Sequence, residues 1–187
     1  MKFLTFKTKN DNETRFGFKS YEKVIDIGLA AKWLYEKKND NSFINIPLTL
    51  HKALERWDQN FTLLKALDSK LKDFDIESFS YKESDLKILP PIINPPAFRD
   101  FYAFEQHVKA ARKLRKLDMH PDWYKIPIFY FSNPNCCYGH GENIPYPNGT
   151  SELDFELEFA VIVGNGGSNI KSSEANKVIA GYTILND

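Results

Sequence analysis

Acidic residues alternate with apolar ones in a short segment near the end of the chain. Asp154, Glu156 and Glu158 are separated by single residues. On a β-strand their side chains would share one face, with neighbours about 6.5 to 7 Å apart. Such carboxylates repel one another unless a cation or basic side chains neutralise them, and hard oxygen ligands suit Mg²⁺, Mn²⁺ or Ca²⁺. The segment therefore predicts either a divalent-metal site or a solvated strand face.

A second candidate pair lies earlier in the chain. Asp100 and His107 are seven residues apart, a spacing that returns to the same helix face after two turns. We therefore expect one helix over residues 99–117 that begins near Asp100. Asp100 is either an N-cap or a functional carboxylate, or both. His107 is either a structural histidine with a satisfied hydrogen bond or a general base.

Hydrophobic periodicity predicts the elements that must position these residues. Residues 2–9, 14–19 and 23–27 alternate as in a small β-meander. Residues 153–163 predict a strand that enters a core and turns back at 164–167, and residues 182–185 a strand that leads to Asp187. The proline-rich residues 87–96 predict an extended connector, with a domain boundary near residue 88. An amphipathic helix is predicted from apolar residues at steps of three and four, namely Leu54, Trp57, Phe61, Leu64, Leu67 and Leu71.

The composition is that of a folded globular protein without a long-range field of either sign. Hydrophobic residues make up 42% of the chain and charged residues 27%, and the 25 basic residues balance the 25 acidic ones. No overall field would attract nucleic acid or acidic lipid, so we expect no nucleic-acid or membrane partner. The N-terminus lacks the apolar stretch of a signal peptide, and the two cysteines are adjacent, which disfavours a mutual disulfide. We therefore expect a cytoplasmic protein.

Four segments together resemble the fumarylacetoacetate hydrolase family in order and spacing. They are RDFYAFEQH at residues 99–107, PIFYFSNP at 127–134, DFELE at 154–158 and GYTILND at 181–187. The resemblance implies an α+β fold with two domains. Residues 1–87 would form a small N-terminal domain of β-meander and helices, and residues 88–187 the truncated start of a mixed β-roll catalytic domain.

The resemblance also implies a metal centre. The residues that match the family's metal-binding positions are Asp100, Glu156, Glu158 and Asp187. The expected cofactor is a divalent cation, with Mg²⁺ preferred over Mn²⁺ or Ca²⁺.

The remaining functional residues follow from the same resemblance. His107 would activate water, while Tyr102 and Tyr130 would contact a small diketo or keto acid substrate. The implied reaction is hydrolysis of a carbon–carbon bond, with decarboxylation or isomerisation as alternatives in the same family. Relatives are commonly homodimers, so we expect a homodimer at full length.

The sequence leaves two non-catalytic alternatives open. The family's continuation after residue 187 is absent, so we expect an incomplete catalytic domain with little or no activity as it stands, or a non-catalytic product that associates with a full-length partner. Apolar surface around residues 160–163 would then be partly uncovered. The other alternative is an α+β binding domain whose acidic strand is only a solvated face.

Overall fold

A computed structural model describes residues 1–187 and divides them into two compact units. One unit contains Met1–Ile92 together with Tyr138–Asp187, and the other contains Ile93–Cys137. The chain combines helices with antiparallel sheets, which confirms the α+β fold class. The division into domains at residue 88 stays a prediction.

The N-terminal part of the first unit is built on a five-stranded antiparallel sheet. Its strands are β1 (Lys2–Thr8), β2 (Arg15–Ser20), β3 (Lys23–Asp26), β4 (Ser80–Lys82) and β5 (Leu86–Leu89), in the order β4-β3-β2-β1-β5. The first three strands confirm the predicted meander. The predicted connector begins differently from expected, because residues 87–89 pair with β1 as part of β5. That pairing satisfies backbone groups that an edge strand would otherwise expose.

Three helices follow β3 and cover one side of this sheet's core. They are α1 (Ile27–Lys38), α2 (Leu50–Leu54) and α3 (Trp57–Leu71). The predicted apolar stripe is confirmed in α3, where Trp57, Leu64, Leu67 and Leu71 are buried. These residues belong to one core cluster with side chains of the sheet and of α1, such as Phe18. No helix of the chain is long and apolar enough to span a lipid bilayer.

A buried carboxylate joins this sheet to the first helix. Asp26 is only 3% exposed and caps α1, because its Oδ1 accepts a hydrogen bond from the backbone N–H of Leu29 at 3.0 Å. Its Oδ2 accepts a hydrogen bond from Nη1 of Arg15 at 2.9 Å. Burial lowers the pKa of the Arg15 guanidinium, but the hydrogen bond to Asp26 and the charge of Asp26 outweigh this effect and raise it. The Arg15 guanidinium is therefore charged in the folded chain.

The second unit consists of a two-stranded sheet and a helix. The strands β6 (Arg99–Phe101) and β7 (Phe129–Phe131) are antiparallel, and the helix α4 (Glu105–Leu114) lies between them in sequence. Val108 of α4 is buried, while Leu114 is exposed. The short strands and the single α-helix form the framework that carries four of the seven predicted site residues.

Residues 138–187 return the chain to the first unit and end in a long antiparallel pair. The strands are β8 (Leu157–Val163) and β9 (Ile179–Asn186). A 3₁₀ helix at Ser172–Lys177 lies in the segment that joins them. The glycine-rich residues 164–167 are therefore only the start of a longer connection, and the prediction of a tight hairpin turn there is wrong.

One face of this strand pair is apolar and exposed. Leu157, Phe159, Val161 and Val163 are 74%, 61%, 44% and 60% exposed, whereas the alternate residues of β8 are half-buried. The prediction that this strand enters a core is therefore wrong for the 187-residue chain, and the expected exposure of apolar surface around residues 160–163 is confirmed. A sheet of two strands cannot bury both of its faces by itself.

The connection after β8 packs against the beginning of α3. A Cβ atom added to Gly164 would lie 2.9 Å from the Cβ of Ala180 and 2.9 Å from Cγ of Trp57. The side-chain amide of Asn165 donates to the two carboxylate oxygens of Asp58 at 3.3 and 3.2 Å. This contact attaches the β8–β9 pair to the N-terminal core.

We expect Gly164→Ala to destabilise the first unit. Because the new methyl group must displace Trp57 or Ala180, the free energy of unfolding should fall by about 1 to 3 kcal/mol. Gly166→Ala is the matched control, since an added Cβ there meets no atom within 4 Å. Urea denaturation of both variants measures the difference, and equal stability of the two variants would contradict the close contact at Gly164.

Candidate functional site

Asp100 lies in strand β6 and not at the start of a helix. Its backbone pairs with β7, and α4 begins only at Glu105. The predicted single helix over residues 99–117 is therefore wrong, as is the shared helix face of Asp100 and His107. Aromatic residues explain the difference, because they favour strands and the ring of Phe101 packs across the sheet on that of Phe129 at 5.1 Å.

The second unit nevertheless brings four predicted site residues close together. Asp100, which is 8% exposed, is directly paired with Tyr130 across the two strands. The backbone N–H of Tyr102 donates to the carbonyl of Ile128 at 3.0 Å, which continues the pairing and places Tyr102 on the same face as Asp100. The rings of Tyr102 and His107 are 5.8 Å apart and nearly perpendicular, at 87°. A carboxylate and two phenols therefore share one face of the strand pair, and an imidazole contacts one of the phenols.

Two residues that the sequence analysis did not assign hold this arrangement in place. The indole N–H of Trp123 donates to the carbonyl oxygen of Tyr102 at 2.8 Å. Glu105 accepts hydrogen bonds from Lys109 and from the hydroxyl of Tyr124, each at 2.7 Å, and the bond from Lys109 is the main reason why its pKa is lowered. The contact of Trp123 with Tyr102 and that of Tyr124 with Glu105 join residues that are 21 and 19 positions apart, so no local pattern could have indicated them.

An open groove lies beside Tyr102. It has a volume of about 330 Å³ and is lined by residues 101–103 and 123–128. Tyr102 is the predicted substrate-contacting residue that lines it. The other side of the groove is formed by the segment that carries Trp123.

The three predicted metal ligands of the first unit lie at the end of the β8–β9 pair that is opposite to the connection between the two strands. The backbone N–H of Glu156 donates to the carbonyl of Asp187 at 2.8 Å, and the N–H of Asp187 donates to the carbonyl of Glu156 at 2.9 Å. Residues that exchange both hydrogen bonds stand directly opposite each other with side chains on one face. Glu158, two positions further along β8, shares that face. The register thus places three carboxylates on one face of two strands.

The donor chemistry of this face suits a hard divalent cation, because all three side chains offer only carboxylate oxygens. The structure contains no group of three or more His, Cys, Asp or Glu side chains arranged to hold a metal ion. The spacing along the strand keeps these carboxylates apart, since neighbours on one face of a strand are about 6.5 to 7 Å from each other. Metal ligation by Glu156, Glu158 and Asp187, and by Asp100 of the second unit, stays a prediction.

The family model described as fumarylacetoacetate (FAA) hydrolase C-terminal matches residues 97–187. This stretch contains both groups of candidate residues. Residues 97–187 therefore belong to the fumarylacetoacetate hydrolase family.

Relatives in the fumarylacetoacetate hydrolase family include enzymes with different reactions in their names. The chain is 28% identical to oxaloacetate tautomerase YisK of Bacillus subtilis (strain 168) over 177 residues, which cover 89% of this chain and 53% of that protein. It is 25% identical to fumarylacetoacetase of Bos taurus over 217 residues, which cover 97% of this chain and 51% of the relative. The chain spans about half the length of the curated relatives that it matches.

A solved structure supports the fold assignment. The fumarylacetoacetate hydrolase EaFAH from psychrophilic Exiguobacterium antarcticum superimposes with a TM-score of 0.58 at 17% sequence identity, covering 100% of this chain and 55% of that one. At this identity the likeness concerns the fold alone. It agrees with the α+β architecture described above.

Proposed function

We propose that this chain provides the metal-binding and substrate-binding part of a divalent-metal-dependent enzyme that cleaves a carbon–carbon bond in a small diketo acid. The observation that carries the proposal is the register that sets Glu156 opposite Asp187, with Glu158 on the same face. The similarity of the chain to the bovine fumarylacetoacetase supports the choice of a hydrolase. We further propose Mg²⁺ as the cation and a homodimer as the assembly of the whole protein.

The proposed chemistry assigns a task to each group of residues. Asp100, Glu156, Glu158 and Asp187 would hold the cation, which when bound would stabilise the negative charge that develops on the substrate oxygens. Each carboxylate contributes oxygen ligands and negative charge that the cation neutralises.

The proton transfer is assigned to the second unit. His107 would accept a proton from water as a general base, and its contact with the ring of Tyr102 restricts how the imidazole can turn. Tyr102 and Tyr130 would orient the substrate through their hydroxyl groups, which can donate or accept hydrogen bonds. Tyr130 stands beside Asp100 in the strand register, so substrate contact and metal ligation would be neighbouring tasks.

A second candidate function is isomerisation of a keto acid. The 28% identity to the B. subtilis oxaloacetate tautomerase favours it. In that reaction His107 would move a proton between carbon and oxygen of the substrate, and no water would be consumed. Decarboxylation remains a third reaction that the same residues could support.

We expect oxalate to bind this chain at least about tenfold more tightly when Mg²⁺ is present, because a shared cation contributes more than about 1.4 kcal/mol to a chelating dianion. Oxalate imitates the planar, charged enolate of a keto acid and cannot itself be cleaved. Calorimetric titration with Mg²⁺ and with EDTA measures the difference. Equal affinity under both conditions would contradict the proposed metal-dependent site and favour the solvated-face interpretation.

Product analysis separates the candidate reactions. We propose that the 187-residue chain turns over slowly or not at all by itself, since it spans about half the length of its relatives. Carbon–carbon cleavage of an acylpyruvate, followed by NMR, would support the hydrolase. Exchange of the substrate's α-hydrogen for deuterium without cleavage would instead support the isomerase.

A further inference from the structure

The last turns of α4 carry a stripe of cationic residues. Lys109, Arg112 and Lys113 of α4 lie at steps of three and one, so Lys109 neighbours both of the others on one side of the helix, and Lys116 follows two residues after the helix ends. All four line an open groove of about 330 Å³, together with Leu117, Asp118 and Met119. In a chain whose net charge is zero, this is a local concentration of positive charge.

The backbone at the end of α4 fixes the groove. The N–H of Leu117 donates to the carbonyl of Arg112 at 2.9 Å, and the N–H of Lys116 donates to that of Lys113 at 3.0 Å. These two bonds form a Schellman motif, which usually has glycine where Lys116 lies. Lys116 has a φ of 56°, in the left-handed region that glycine adopts more easily than lysine. Lys116 therefore places a side chain at a position where the backbone conformation favours glycine.

Three of the four cations of the groove form no ion pair with a carboxylate. Lys109 shares its charge with Glu105 at 2.7 Å, whereas no ion pair involves Arg112, Lys113 or Lys116. The Nε of Arg112 donates to the carbonyl oxygen of Asp118, which orients the guanidinium. The carboxylate of Asp118 also lines the groove, so cationic side chains outnumber anionic ones by four to one.

Complementing the helix dipole explains only part of this pattern. Cations near a helix C-terminus interact favourably with its carbonyl groups, but this needs neither a common stripe nor a groove. An arginine fork beside lysine point charges is the combination that binds phosphate and other oxyanions.

We propose that this groove binds a small oxyanion of the phosphate type with at least two negative charges. Arg112 would bind two oxygens of the anion with its guanidinium, and Lys113 and Lys116 would supply charge from either side. The site lies within the second unit and needs no metal.

The first test is titration of inorganic phosphate and pyrophosphate into the full chain in EDTA at physiological ionic strength. We expect saturable binding that weakens at least about tenfold in the Lys113→Gln/Lys116→Gln variant, which loses two direct contacts. The control is Lys9→Gln/Lys37→Gln, which removes the same charge from two exposed lysines of the other unit. No saturable binding by the unaltered chain, or an equal loss in the control, would overturn the proposal.

A second variant separates binding from folding. Lys116→Gly relieves the left-handed backbone and removes one cation. We expect its thermal unfolding temperature to stay equal or rise while phosphate binding weakens about threefold or more, as loss of one charge-assisted contact predicts. Parallel loss of stability and binding would mean that Lys116 has a structural role only. Malonate is titrated beside phosphate, and tighter binding of this dicarboxylate would overturn the phosphate-type assignment.

Discussion

Replacing Glu156 and Glu158 together by glutamine should weaken Mg²⁺ and Mn²⁺ binding to this chain by at least about 100-fold. Loss of groups that only orient metal ligands already costs about 10-fold to 100-fold in affinity, and here two direct ligands would lose their charge. Glutamine keeps the shape of each side chain, so the pairing of Glu156 with Asp187 through the backbone should persist. Calorimetric titration of both cations measures the effect.

Charge alone must be separated from position in this experiment. Glu22→Gln/Glu36→Gln removes the same charge from two exposed residues of the same unit that lie outside the acidic segment and should leave the metal affinity within about twofold, because exposed charges outside the site are largely screened at physiological salt. Saturable binding that survives in the Glu156/Glu158 variant would reject these carboxylates as ligands. Binding that is absent from every variant, including the unaltered chain, would return the acidic strand to the solvated-face interpretation.

Asp26→Ala should lower the free energy of unfolding by about 3 to 5 kcal/mol, the usual effect of removing one partner of a buried ion pair. The substitution removes the cap of α1 and the carboxylate that Arg15 contacts at 2.9 Å. Arg15 also contacts Asp11 and Glu13, but these carboxylates are far more exposed than that of Asp26. They should therefore compensate only in part. Urea denaturation measures the change.

Two further variants divide this effect into its parts. Asp26→Asn keeps an oxygen that can cap α1 but loses the charge, so it should be destabilised less than Asp26→Ala. Adding Arg15→Leu to Asp26→Ala should recover part of the lost stability, because the buried guanidinium would no longer lack its partner. If the double variant were less stable than Asp26→Ala by the full effect of Arg15→Leu alone, the two residues would not be coupled.

The sequence was sufficient to predict the elements that form because of local hydrophobic periodicity. The meander and the stripe of α3 follow from alternation and from steps of three and four, and both contain the side chains that become the core. The face shared by Glu156 and Glu158 follows in the same way from strand geometry. The position of Asp187 opposite Glu156 depends on the pairing of two strands, and only the family resemblance connected these residues in advance.

The strand at Asp100 and the exposure of β8 depend on contacts between residues that are far apart in the sequence. The seven-residue spacing of Asp100 and His107 imitated a helix, but the pairing of Phe101 with Phe129 draws Asp100 into a strand. The apolar residues of β8 predicted burial, yet burial depends on what lies over a face and not on the strand itself. Short-range periodicity therefore indicates which side chains share a face, while contacts between distant segments decide whether that face is buried or exposed.

The contacts of Gly164 and Asn165 attach one end of the β8–β9 pair to the start of α3. The candidate ligands Glu158 and Glu156 lie six and eight residues from Gly164, about 20 to 26 Å away along the strand. A small tilt where Trp57 and Asp58 meet the connection would become a larger displacement of the carboxylates at the tip. Chimaeras that exchange the N-terminal regions of two family members should therefore transfer these four positions as a set, because a mismatch there would be measured as lost metal affinity in a chain that still folds.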